Sequence, residues 1–122
     1  MRRSLLAGAL ALAACAASDD RPRTWAYLYP AVVAPSCATA TCHSALAARA
    51  GIVLDDQDNA YATLVDGTGT NQGPFVFPGD PVASPLVLIL DGNERAQMPP
   101  EAPLPVIDRS LVADWIAAGA PR

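Results

Sequence analysis

The chain contains no lysine and only one histidine. Its eight basic residues are all arginines, set against twelve Asp and Glu. Nucleic-acid binding needs clustered Lys or Arg to neutralise phosphates, so this balance excludes it. It equally excludes a polybasic hold on anionic lipid. No apolar run approaches the roughly 20 residues that a membrane-crossing helix requires. No internal repeat is visible, and no long alternating segment asks for a sheet. A length of 122 residues leaves room for one ordinary domain.

The N-terminus has a character of its own. Arg2 and Arg3 precede an unbroken small and apolar run over residues 5–14, which closes on Cys15. A run this short behind a charged start is the core of a signal peptide and stands outside the fold. Leu12-Ala13-Ala14-Cys15 resembles the lipobox of bacterial lipoproteins. That resemblance implies cleavage before Cys15 and acylation of its thiol. The alternative is an ordinary signal peptide cut at a nearby Ala-x-Ala site, with Cys15 left as a free thiol. The lipobox reading divides the chain into a signal peptide (1–14), a lipidated cysteine with a flexible tether (15–23) and a domain (24–122). It places the domain outside the cytoplasm, on the periplasmic side of a membrane or at the cell surface, held there by acyl chains. Six arginines and twelve acidic residues then remain, a formal charge of −6.

Within the domain the pattern is mostly α-helical, with long Pro- and Gly-rich loops. Trp25, Leu28, Val32 and Val33 have helical spacing over residues 24–34, and Pro30 is expected to end or kink the first turn. Residues 44–50 can prolong a short helix that stops at Gly51. Asp58 and Asn59 are candidate caps for a helix over residues 60–65. Residues 67–73 (GTGTNQG) form a glycine-rich loop that lacks the Lys-Ser/Thr ending of a phosphate cradle. Ser84 and Pro85 signal a helix start ahead of residues 86–90. A last helix is predicted over residues 106–118, with Ile107, Leu111, Trp115 and Ala118 as one apolar stripe and Gly119 just beyond. Twelve prolines restrict the unfolded chain, yet so loop-rich a domain has a thin core. A buried prosthetic group would give its short helices a common surface.

The chemistry-bearing residues are few. After Cys15 the chain has two cysteines, Cys37 and Cys42, one histidine, His43, and one methionine, Met98. A mono-haem c-type centre needs two thiols, one imidazole and commonly one thioether. Thiols add to the haem vinyl groups and retain the cofactor; an imidazole ligates the iron; a methionine sulfur raises the potential. Met98 sits in a loop stiffened by Pro99 and Pro100. The common attachment motif has two residues between its cysteines, whereas Ala38, Thr39, Ala40 and Thr41 make a spacer of four here. Two other readings stay open on these residues alone. An exported protein can close Cys37 on Cys42 as a disulfide, leaving a haem-free interaction module with Met98 as core filler. Two Cys and one His also start a zinc site that lacks a fourth ligand.

A wider series of motifs follows one order. It runs from Cys37…Cys42-His43 through Leu54-Asp55, Tyr61-x-x-Leu64 and Val76-x-Pro78-Gly79-Asp80-Pro81-x-x-Ser84-x-Leu86. Met98-Pro99-Pro100 and Trp115-Ile116-x-x-Gly119-Ala120 complete it. In this the chain resembles, over about residues 24–120, the small planctomycete-type cytochrome c domains of exported bacterial proteins. One departure besides the spacer is Pro105, where that family usually carries a capping Ser. The resemblance implies a cytochrome c-like helical domain with one covalent haem c, attached at Cys37 and Cys42. It implies His43 as proximal and Met98 as distal iron ligand, around an apolar cleft expected to include Leu54, Tyr61 and Leu86. The implied role is one-electron transfer with redox protein partners. With both axial positions filled, no open catalytic position is expected, and the protein is not read as an enzyme.

Overall fold

The computed structural model describes residues 19–93 and 97–122. The expected signal peptide and Cys15 lie outside these residues. Four helices carry the fold, and no strand occurs among the described residues. No helix there is long and apolar enough to cross a membrane.

Helix α1 covers residues 25–37 and runs through Pro30 instead of stopping there. Its ends, Trp25–Leu28 and Ala34–Cys37, are α-helical, while Tyr29–Val33 is a wider π turn. A proline has no N–H to offer the carbonyl four residues back, and its ring crowds that carbonyl. The helix nevertheless continues, and the turn after Pro30 widens: the Ala34 N–H reaches the Tyr29 carbonyl, five residues back.

Helix α2 covers residues 57–66, Gln57–Tyr61 and then a second π turn, Ala62–Asp66. It begins earlier than expected because Asp56, not Asp58 or Asn59, is the cap. The Asp56 backbone is extended, which lets its carboxylate accept the Asn59 N–H at 2.8 Å. Gly67 ends the helix at φ +72°, and a Cβ there would lie 2.7 Å from the Pro74 nitrogen.

Helix α3, Pro85–Asp91, starts where the Ser-Pro pair signals it. Ser84 does not cap it by side chain; its buried hydroxyl accepts the Phe77 N–H at 2.9 Å and donates to the Asp80 carbonyl at 2.8 Å. Ser84 thus locks the VFPGDP turn. Helix α4, Val106–Ala117, follows Pro105 without any side-chain cap. Its buried stripe is Leu111, Val112, Trp115 and Ile116. Ile107 and Ala118, expected in that stripe, are exposed: Ile107 stands in the first turn of α4, and Ala118 just past its last residue.

The core forms where α1 meets α4. The Trp25 and Trp115 rings lie 5.3 Å apart, and Tyr29 and Tyr61 pack on Trp25 at 5.5 and 5.7 Å. Each polar tip has a carbonyl to donate to: Trp25 to Gln57, Trp115 to Pro121, Tyr29 to Leu54 and Tyr61 to Ala120. The Trp25 N–H also bonds Pro121, which ties the start of the fold to its end. Ahead of α1, the last part of the segment expected to be a tether lies on α4. Arg21 pairs with Asp19 at 2.9 Å and with Asp108 at 2.6 Å, and Arg23 pairs with Asp114 at 3.0 Å.

Removing the Trp115 side chain leaves a large hole at this crossing. Trp115→Ala is expected to lower the unfolding free energy by about 3–5 kcal/mol in a urea titration. A left-handed conformation penalises any side chain by roughly 1–2 kcal/mol. Gly69→Ala, with open space around it, is expected to lose only that. Gly67→Ala meets Pro74 as well and is expected to lose more. Equal losses at the two positions would show that Pro74 yields freely.

Candidate functional site

Cys37 is the last residue of α1, so the helix delivers its thiol to one fixed place. The four-residue spacer then folds back on itself. The Cys42 N–H bonds the Thr39 carbonyl at 3.0 Å, and the His43 N–H bonds the Cys37 carbonyl at 3.0 Å. The extra length is taken up by a turn, and His43 stays beside the end of α1.

Residues 44–50, expected to be helical, form turns ending in a short 3₁₀ segment, Arg49–Gly51. Ala48 and Ala50 both have positive φ, +41° and +56°, which breaks any helix and stores strain. Bonds to the attachment loop hold this shape: Arg49 donates its N–H to the Cys42 carbonyl and its Nε to the Thr41 carbonyl. The segment then passes back along His43. The Leu54 N–H bonds the His43 carbonyl at 2.6 Å, and His43 Nδ1 lies 3.3 Å from the Ile52 carbonyl. A carbonyl can only accept, so Nδ1 carries the proton and Nε2 keeps its lone pair.

Cys37, His43 and Met98 line one cleft that opens to solvent. Its other walls are almost entirely apolar, with Leu54 and Leu64, Phe75 from the following loop, and Leu86, Ile89 and Leu90 from α3. An adjoining hollow shares Cys37, His43 and Met98 and adds Cys42, Arg49 and Glu101. Met98 is partly exposed, and its N–H is held by the Ile89 carbonyl at 3.2 Å. All four candidate residues therefore border one continuous region. Leu54 and Leu86 line it as expected. Tyr61 does not, since its ring is committed to Trp25 and Trp115. The α3 wall was visible in the spacing of Leu86, Ile89 and Leu90, one helix face, although only Leu86 was singled out; Phe75 left no comparable signal.

The two thiols differ. Both are free in the structure. Burial, with Cys42 adding to it, pushes the Cys37 thiol up to about 11. Hydrogen bonds from Thr39 and Thr41, helped by the Arg49 charge, hold the Cys42 thiol below its ordinary value. Among the described residues no three His, Cys, Asp or Glu converge as metal ligands, so a zinc site has no support there.

The residues fit a haem. The cleft is walled by apolar side chains, and sulfur and imidazole donors border it. This is what a small c-type cytochrome presents to its prosthetic group. The profile of the family described as Planctomycete cytochrome C matches residues 40–102, just over half of the chain, and the chain belongs to this family. The match includes Cys42, His43 and Met98 and begins after Cys37. No curated protein and no solved structure matches. At the level of the family, this membership implies a c-type cytochrome that carries electrons rather than catalysing a reaction, and it implies haem c.

In reduced, haem-free protein the thiolate is the species that alkylates. At pH 8 iodoacetamide is expected to modify Cys42 well before Cys37, and raising the pH toward 11 is expected to close the gap. Peptide mass mapping over time reads the order, and equal rates at pH 8 would contradict the environments described.

Proposed function

We propose that the protein is an exported one-electron carrier with a single haem. In this reading Cys37 and Cys42 would hold the haem by thioether bonds, and His43 and Met98 would ligate its iron. The observation that carries the reading is that Cys37, His43 and Met98 line one apolar cleft, with Cys42 at its edge. Haem supplies reversible one-electron exchange at its iron when bound.

The chain's own residues account for retention, ligation and shielding. Two thioethers keep the cofactor in place outside the cytoplasm. The Ile52 carbonyl fixes the tautomer of His43 and leaves Nε2 free to ligate. Met98 offers a soft sulfur that favours the reduced iron, from a backbone pinned to α3. The leucine-lined walls would lower the dielectric around a bound haem, which also favours the less charged, reduced state. With His43 and Met98 both committed to the iron, this reading would assign no residue a catalytic role. Cleavage after residue 14 and acylation of Cys15 would tether the carrier to a membrane, where it exchanges electrons with redox protein partners.

Protein made with a haem-attachment system is expected to be coloured. Its haem should stay with the polypeptide through acid–acetone extraction and add one haem to the mass. A colourless product with Cys37 and Cys42 joined as a disulfide would replace this reading with the haem-free module. Met98→Ala is expected to abolish the thioether-to-iron charge-transfer band and lower the midpoint potential, while the haem mass persists. A band that survives would remove Met98 from the ligand set.

A further inference from the structure

We infer that the exposed apolar stretch leading into α4, residues 102–107, rests on the lipid surface that carries the anchor; this builds on the lipidation of Cys15 proposed above. Ala102, Pro103, Pro105, Val106 and Ile107 are all exposed, and only Leu104 between them is buried. Val106 and Ile107 stand 68 % and 55 % open, a high exposure for adjacent β-branched apolar residues. The route of the N-terminal segment singles this patch out. Arg21 donates to the Ile107 carbonyl at 2.9 Å and pairs with Asp108 at 2.6 Å, while its other side holds Asp19.

Asp19 is therefore fixed beside the first turn of α4, and only four peptide steps separate it from Cys15. Those steps span at most about 14 Å, whatever their conformation. An acyl chain on Cys15 thus brings the bilayer surface close to residues 102–107, and a neighbouring apolar patch gains by entering the interface. Charge does not oppose this on neutral lipid. Asp19 and Asp108 are both paired with Arg21, and Glu101 and Asp20 stand exposed, in reach of water.

The test uses the full lipidated, haem-loaded chain on phosphatidylcholine vesicles. Single cysteines at Ile107→Cys and, as a control, at Leu46→Cys (87 % exposed in the wild type) are labelled with a water-soluble maleimide. Vesicles are expected to slow labelling at position 107 on the order of tenfold, as burial in an interface does, and to leave position 46 unchanged. Adding Arg21→Ala is expected to keep the protein on the vesicles while removing most of that protection. Protein that floats with the vesicles yet labels equally fast at both positions would overturn the proposal and leave the anchor standing. Protection at position 107 that needs an added redox protein rather than lipid would also overturn it. Protein that does not float, with Cys15 unmodified by mass, overturns the anchor and this face together.

Discussion

The contact between Trp25 and Trp115 is the one on which the rest of the domain depends. These two rings, buried and 5.3 Å apart, join the first helix to the last. Their indole N–H groups then extend the joint outward. Trp25 donates to Gln57 at the start of α2, and Trp115 donates to Pro121 beyond α4. Tyr29, on the same α1, donates to the Leu54 carbonyl, and Leu54 is both a wall of the cleft and the partner of the His43 backbone. One chain of contacts thus runs from the core crossing to the imidazole. In so small a domain the aromatic crossing supplies apolar area that short helices would not bury by themselves.

Around that joint, the polar contacts set direction more than stability. Exposed ion pairs such as Arg23 with Asp114 and Arg122 with Asp58 are worth roughly 0–1 kcal/mol each. Their effect is to settle where the ends of the chain lie. The attachment loop works in the same way. Its carbonyls accept from Arg49, and the strained residues Ala48 and Ala50 are held in positive φ by a segment bonded at both ends. Strain of this kind persists only where the surroundings overdetermine the backbone. Here it shapes the wall next to His43.

Much of this was legible in the sequence, and the misses have physical causes. α3 and α4 were readable because Pro85 opens one and a dense apolar pattern fills the other. The cleft residues Cys37, His43 and Met98 were readable because each is scarce and chemically distinct. The continuation of α1 past Pro30 was not, because local rules for proline do not anticipate a helix that runs on through it and widens into a π turn. Ile107 was read into the core from spacing alone, but spacing does not reveal which side of the first turn of α4 the rest of the fold covers. Tyr61 was read toward the cleft, and a competing ring cluster claimed it. The cap at Asp56 was missed because three carboxylates and an Asn stand within five residues, and only the backbone angles decide among them.

The bond from the Trp25 N–H to the Pro121 carbonyl has a consequence for how such a domain is used in larger proteins. It sets the two ends of the fold side by side, while the residues that line the cleft and its adjoining hollow all lie within residues 36–101. A polypeptide can therefore enter and leave the fold at one spot without disturbing the cleft. Domains with adjacent ends tolerate insertion into loops of other chains and stringing in series. The same geometry makes the fold a candidate for circular permutation. New ends would go into the exposed turn at residues 68–69, and a short linker would join the old ones.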